Sequence, residues 1–132
     1  MPILTVKLSA SPSPQLTQAV ADMLIEATER ILKKKRSVTA IVIDYVAPGN
    51  WLIAGNSLVE HAMNSVYFDI KITDETNTKD EKAQYITETF AGFARLIGPL
   101  HENSYIYVQD VRAAAYGYGG RTQEYRYHQP PA

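Results

Sequence analysis

The chain of 132 residues contains a strand–helix–strand pattern twice, and this repetition limits the possible folds more than any other feature. At a constant offset of 65 residues, the helical stretch 16–32 aligns with 81–97, and residues 51–55 align with 116–120. Two parallel strands joined through a helix require a right-handed crossover. The repeat therefore predicts an α+β fold: tandem βαβ units that form a four-stranded mixed sheet with both helices on one face.

We expect a single domain over residues 1–132, with pseudo-repeats at approximately 2–60 and 65–127. Runs rich in β-branched and aromatic residues predict the strands, at residues 2–8, 39–46, 66–73 and 104–111, with a short edge strand at 125–127. With both helices on one side, the other face of the sheet needs cover, and an oligomer supplies it most simply.

Both helices carry start signals in the sequence. Ser13 before Pro14 predicts an N-cap and a first helical residue, and Thr78 with Glu81 predicts a capping box. Gly98 predicts the end of the second helix. The expected buried faces are Leu16, Val20, Met23, Ala27 and Ile31 in the first helix, and Ala83, Ile86, Phe90, Phe93 and Ile97 in the second.

Composition narrows the functional classes. A net charge of −1 gives no general reason to expect nucleic-acid or membrane binding. The chain has no cysteine, which excludes disulfide and thiol chemistry. The three histidines, His61, His101 and His128, lack metal-ligand spacing, so we expect neither a metal nor another cofactor. No apolar run reaches transmembrane length and no signal peptide is found, so we expect a cytoplasmic protein.

The first residues carry a candidate for acid–base chemistry that needs no cofactor. Initiator methionine is normally removed before a small residue, which would give Pro2 a free secondary amine. A general base works best when its pKa lies near the working pH, and burial or nearby cations lower the pKa of an amine. Ile3, Leu4 and Val6 predict a buried strand, which places Pro2 at the rim of an apolar core. If Met1 is retained, the Pro2 nitrogen is an amide and cannot act as a base.

With these features the chain resembles the tautomerase superfamily, which includes 4-oxalocrotonate tautomerase, macrophage migration inhibitory factor and cis-3-chloroacrylic acid dehalogenase. The resemblance covers nearly the whole chain. It is carried by Met1-Pro2-Ile3, by residues 47–51 (APGNW) with Gly55, by residues 105–110, and by Ala113-Ala114 with residues 116–120 (YGYGG). It implies the tautomerase/MIF-like fold and a homotrimer with active sites at subunit boundaries. It also implies cofactor-free proton transfer between carbon and oxygen of a small 2-keto or enol carboxylate.

The resemblance also implies roles for individual residues. Pro2 matches the general base of the family. Trp51 falls at the aromatic pocket wall of the short tautomerases, and Tyr116 is its equivalent in the second repeat. Lys34 falls near a carboxylate-binding lysine of the inhibitory-factor branch, and Tyr105 at a pocket tyrosine of the same branch.

Several cations of the family have no counterpart here. The positions of the family's arginines hold other residues: Pro12 and Ala40 for the short tautomerases, and Thr73 and Thr76 near the pair of the dehalogenase branch. A carboxylate substrate still requires a cation. Arg112 therefore joins Lys34 as an expected substrate-binding residue, with Arg121 as the remaining alternative.

Structural roles for the same residues stay open. Trp51 and Tyr116 suit a core or an interface as well as a pocket. Tyr105 and Tyr107 alternate along a strand and point to one face, where an interface would bury them. Arg112 can pair with Asp110 or Glu124.

Three functions fit the sequence. The first is a tautomerase of a 2-keto or enol acid. The second is a hydratase-like dehalogenase or a decarboxylase on the same proline site, against which the missing arginine pair argues. The third is a non-catalytic trimer used in binding, which retention of Met1 would favour.

Overall fold

A computed structural model describes residues 2–128 and contains two strand–helix–strand units, each followed by a hairpin and a short helix. The first unit comprises β1 (Ile3–Leu8), α1 (Pro14–Leu32), β2 (Ala40–Tyr45), β3 (Leu52–Ile53), β4 (Asn56–Ser57) and α2 (Leu58–His61), with 3₁₀ turns at Arg36–Val38 and Pro48–Asn50. The second comprises β5 (Val66–Thr73), α3 (Lys79–Ile97), β6 (Tyr105–Val111), β7 (Gly117–Tyr118), β8 (Arg121–Thr122) and α4 (Gln123–Tyr127).

The offset of 65 residues holds through the structure. Helix α3 begins and ends 65 residues after α1 (79 − 14 and 97 − 32), and β7 and β8 follow β3 and β4 by the same distance (117 − 52 and 121 − 56). The main strands lie within one residue of their predicted bounds. The predicted edge strand at 125–127 is wrong, because Thr122 caps a helix there: its Oγ1 accepts a hydrogen bond from the Tyr125 backbone N–H at 3.0 Å.

The four long strands form one mixed sheet in the order β2-β1-β5-β6. Strand β1 runs parallel to β2 and antiparallel to β5, and β5 runs parallel to β6. Both long helices pack on one face of this sheet around a single core, with Phe68, Tyr85 and Phe93 among its largest buried side chains. The predicted fold class is confirmed.

The helix signals act as the sequence predicts. The Ser13 hydroxyl accepts a hydrogen bond from the Leu16 N–H at 3.0 Å. Thr78 and Glu81 form a reciprocal capping box, and Gly98 ends α3 with a φ of 86°. At that φ a glycine carries no steric penalty, so the chain can turn away without strain.

The predicted buried face of α3 is wrong at its N-terminal end. Ala83 and Ile86 are exposed, and Tyr85, Thr89 and Gly92 are buried instead. The seam with α1 is made of polar and small residues, which a search for apolar periodicity does not detect. A Cβ on Gly92 would lie 2.6 Å from the Met23 sulfur, so glycine is what allows the two helices to approach there.

The second face of the sheet has no helix over it and mixes aromatic with charged side chains. Tyr105 and Tyr107 project from it together, 56% and 47% exposed, with ring centroids 6.3 Å apart. Asp69 accepts hydrogen bonds from Lys71 and from Gln109, each at 2.8 Å. Among the described residues, no helix is both long enough and apolar enough to span a membrane.

Candidate functional site

Pro2 is buried immediately before the central strand β1. Its carbonyl oxygen accepts a hydrogen bond from the Ala40 N–H at 3.2 Å, which ties it to the first residue of β2. Met1 lies outside the described residues. Because β5 runs antiparallel to β1, its last residues Ile72 and Thr73 lie at the same end of the sheet as Pro2.

A cavity of about 400 Å³ lies at this end, and we call it the Pro2-end cavity. Its lining consists of Ile3, Ala40, Lys71, Ile72, Val111, Tyr116, Gly117 and Tyr118. Ile3 follows Pro2 in the chain and Ala40 bonds to it, so the cavity adjoins the proline. Its walls are largely apolar, with two phenols and one ammonium group.

Tyr116 is fixed in this cavity by β5. Its hydroxyl forms a hydrogen bond with the Thr73 hydroxyl, at the last residue of that strand. Burial raises the pKa of Tyr116 above the usual value for a phenol. The hydroxyl therefore stays protonated at neutral pH and can donate a hydrogen bond to an oxygen in the cavity.

Two lysines lie at the Pro2 end in different surroundings. Lys71 lines the cavity, and its Nζ donates to Asp69 Oδ2 at 2.8 Å. Lys34 lies outside the lining, and its Nζ donates to the Thr76 hydroxyl at 2.7 Å. That hydroxyl in turn donates to the Thr73 carbonyl oxygen at 2.5 Å. Burial lowers the pKa of Lys34 from the usual lysine value.

The two arginines considered from the sequence are placed differently. Arg112 is exposed just after β6, and it forms no salt bridge with any residue between 2 and 128. The expected pairing with Asp110 is wrong, because Asp110 accepts a hydrogen bond from Lys82 at 2.6 Å. The Arg121 guanidinium donates to the Tyr125 hydroxyl at 2.6 Å and lies 4.8 Å from the centre of that ring.

Trp51 and Tyr105 lie together at the opposite end of the sheet. Both line a cavity of about 670 Å³, which we call the Trp51 cavity, along with Lys7 and Tyr67. Lys7 pairs with Tyr67 across the sheet, and Tyr67 pairs with Tyr105. Lys7 is five residues from Pro2, roughly 17 Å along β1 at about 3.3 Å per residue. Within one chain, neither Trp51 nor Tyr105 reaches Pro2, whereas Lys34, Arg112 and Tyr116 lie at its end of the sheet.

The two cavities are equivalents under the repeat. Residues 51–53 line one and residues 116–118 line the other, at the offset of 65. The residue equivalent to Pro2 is Tyr67 (67 − 2), so the Trp51 cavity has no proline at that position. Lys71, Tyr67 and Tyr118 were not singled out from the sequence, because only the antiparallel register of β1 and β5 reveals where they project.

The histidines do not gather at either cavity. The rings of His61 and His101 are 4.8 Å apart, but His61 Nε2 bonds to the Ile53 carbonyl oxygen and His101 Nδ1 accepts from the Asn103 N–H. Over residues 2–128, no three His, Cys, Asp or Glu side chains are grouped as metal ligands would be.

Comparison with known proteins places this arrangement in a class. Residues 2–61 match the family model described as tautomerase enzyme. Among solved structures, the R7 fused 4-OT, described as a wild-type asymmetric trimer, aligns with a TM-score of 0.82 and 17% identity over 96% of this chain and 99% of its own. Pt0534, inactivated by 2-oxo-3-pentynoate, aligns with a TM-score of 0.80 and 13% identity over 93% of this chain and 98% of its own.

A macrophage migration inhibitory factor-like protein from Entamoeba histolytica also aligns, with a TM-score of 0.75 and 16% identity over 92% of this chain and 97% of its own. No curated protein sequence matches the chain. At these identities the structural likeness establishes the fold, a doubled strand–helix–strand sheet that begins at a proline. Together with the family match, it identifies the chain as a member of the tautomerase superfamily.

Proposed function

We propose that the protein is a cofactor-free keto–enol tautomerase, an isomerase of a small 2-keto or enol carboxylate with an apolar tail, and that Pro2 is its general base once Met1 is removed. The observation that carries the proposal is a buried N-terminal proline beside an apolar cavity that also holds a phenol and an ammonium group. The inactivation of a structural neighbour by 2-oxo-3-pentynoate, a 2-oxo acid, supports this substrate class.

The proposed reaction moves one proton. In the ketonisation direction, the Pro2 nitrogen accepts the proton of the C2 hydroxyl while electron density moves towards C3. The resulting prolinium then delivers that proton to C3, which leaves a C2 carbonyl and a free amine. A positioned general base contributes about 10²–10⁴-fold to such a reaction.

Tyr116 is the proposed partner of the C2 oxygen. Negative charge develops on that oxygen whenever the C3–H bond is made or broken, and a fixed donor stabilises it most. The Tyr116 hydroxyl is held in place by Thr73, and its raised pKa keeps it protonated. A second, mobile hydrogen-bond partner is therefore not needed at this position.

Lys71 is the proposed carboxylate partner, since it supplies the charged group of the cavity lining. Lys34, Arg112 and Arg121 are the alternatives that the sequence suggested. Lys34 is engaged with Thr76 outside the lining, and Arg121 is engaged with Tyr125. Arg112 follows Val111, which lines the cavity, so its long side chain is the second choice.

A homotrimer is part of the proposal. Structural neighbours described as fused 4-OT trimers support it, as does the helix-free face of the sheet. In a trimer, Trp51 or Tyr105 of one subunit could complete the Pro2 site of the next, which is the one way in which these residues can join it. Sites at subunit boundaries are what the family resemblance implies.

The alternatives are less well supported. A dehalogenase that activates water requires a carboxylate beside the substrate, and the described lining of the Pro2-end cavity contains no Asp or Glu. A non-catalytic trimeric binding protein requires only that Pro2 be blocked. Mass spectrometry of the intact protein from its native source tests this directly, because retained Met1 would leave no free amine.

Phenylenolpyruvate is the assay substrate of choice, because it combines a 2-enol acid with an apolar ring. We expect Pro2→Ala to lower kcat/KM for its ketonisation by at least about 100-fold. Pro12→Ala is the matched control, since Pro12 is an exposed proline outside the cavity, and it should keep full activity. Equal activity of Pro2→Ala and the unmodified protein would contradict the proposal.

A further inference from the structure

The Trp51 cavity has the equipment of a binding site but lacks the base of its counterpart. It is the larger of the two, at about 670 Å³ against about 400 Å³. Tyr67 occupies the position equivalent to Pro2, so no proline amine can act there whatever happens at the N-terminus. If the cavity has a use, that use is binding.

The geometry points to a second, non-catalytic site in the Trp51 cavity for a small planar carboxylate with an aromatic ring. Six side chains support this class of ligand: Lys7, Asn50, Trp51, Tyr67, Asn103 and Tyr105. Trp51, Tyr67 and Tyr105 supply ring faces and edges against which a planar ligand packs. Asn50 and Asn103 supply amide donors for the oxygens of the ligand.

Lys7 supplies the charge that selects an anion. Its ammonium forms no salt bridge with any partner among residues 2–128, although Asp44 is its register neighbour on β2. No Asp or Glu belongs to the described lining of the cavity. Lys71, at the other end, is by contrast already paired with Asp69. An incoming carboxylate at Lys7 therefore has no internal carboxylate to displace.

The chain offers its own reporter for this site, because Trp51 is its single tryptophan. Phenylacetate is the probe: it carries an aromatic ring and a carboxylate but has no 2-keto group to tautomerise. Phenylacetamide is the matched neutral probe of the same shape. We expect saturable quenching or enhancement of Trp51 fluorescence by phenylacetate, with at least tenfold weaker binding of phenylacetamide.

Two lysine variants locate the ligand. Lys7→Gln should raise the dissociation constant for phenylacetate at least tenfold, because a charge-assisted contact is lost. Lys71→Gln should leave the constant unchanged, because Lys71 belongs to the cavity at the opposite end. Trp51→Phe should abolish the signal and so confirms its source.

Three results would overturn the inference. One is the absence of a saturable signal. Another is weakening by Lys71→Gln but not by Lys7→Gln, which would place the ligand at Pro2. The third is competitive inhibition of turnover with an inhibition constant equal to the dissociation constant at Trp51, which would make the two cavities parts of one site. The titration does not use turnover, so an inactive protein would refute the proposed tautomerase without touching this site.

Discussion

Lys71 and Lys34 show how the surroundings of a side chain decide its suitability for a carboxylate. Both lie near the proline end of the sheet, but only Lys71 lines the cavity. Its pairing with Asp69 is partial, because Lys71 is 47% exposed and the ammonium can make more than one hydrogen bond. Lys34 is held by a threonine hydroxyl, and its charged form is disfavoured by burial.

We therefore predict that Lys71→Gln lowers kcat/KM for a carboxylate substrate by about ten- to a hundredfold, the value of a lost charge-assisted contact of about 1.5–3 kcal/mol. Steady-state kinetics with phenylenolpyruvate measures this. Lys34→Ala and Arg112→Ala are the comparison variants that the sequence suggested. A large loss in either of them, with Lys71→Gln unaffected, would move the carboxylate to that residue.

At the residue scale, the sequence predicted more about position than about contacts. The predicted placement of Tyr105 and Tyr107 on one face of a strand is confirmed, because strand alternation is local. The separation of Trp51 from Pro2, and the place of Lys71, depend on which strands pair and in which register. Those pairings join residues far apart in the chain, so no local pattern reports them. The roles of the predicted site residues stay predictions.

At the scale of elements, the contact between α1 and α3 contains a buried polar pair. The hydroxyls of Thr28 and Tyr85 are 2.7 Å apart, and both side chains are almost fully inaccessible. A buried hydroxyl that loses its partner costs about 1–3 kcal/mol, because it gave up its bonds to water on folding. This pair therefore fixes how the helices face each other.

We predict that Tyr85→Phe lowers the free energy of unfolding by about 1–2 kcal/mol, measured by urea denaturation. The double variant Thr28→Val with Tyr85→Phe should be less destabilised than the sum of the single variants, because neither partner is then left alone. Additive effects would show that the hydrogen bond contributes nothing.

The same residue predicts a dependence on pH. Burial raises the pKa of Tyr85 far above its ordinary value near 10. Above about pH 10 the unfolded chain loses this proton while the folded chain keeps it, so the stability of the fold decreases as pH rises. Denaturation midpoints at about pH 9 and about pH 11 should fall more in the unmodified protein than in Tyr85→Phe. Parallel curves would contradict the assignment.

The elements themselves were largely predictable, because their signals are local. The cap at Ser13, the box at Thr78 and the stop at Gly98 each depend on a few consecutive residues. The hairpins β3–β4 and β7–β8 and the short helix α4 were missed. Two-residue strands are too short to show a period, and the run 125–127 has strand-like composition that the Thr122 cap overrides.

At the scale of the whole molecule, the helix-free face of the sheet predicts association. We predict a trimer in sedimentation at micromolar concentration, and Tyr107→Glu should shift it towards monomers by placing a charge in the middle of that face. Val59→Glu is the control, since Val59 is 66% exposed on α2, away from the sheet. A stable monomer of the unmodified chain would remove the boundary-site model as well.

The single domain over residues 1–132, with its two pseudo-repeats, stays a prediction. Limited proteolysis tests it, because a domain with one core should resist cleavage between α2 and β5 until it unfolds as a whole. Early cutting there, with both halves still folded, would argue for two separate units.

The covalent link between the repeats, residues 62–65, also determines stoichiometry. Strands β1 and β5 meet edge to edge across the middle of the sheet, so two unlinked halves could assemble there. Unlinked halves, however, would pair like with like as well as like with unlike. The short connection makes every sheet a heterodimer in all but covalent terms, with one proline end and one tyrosine end. The two ends are therefore free to specialise without ever being diluted by symmetric partners.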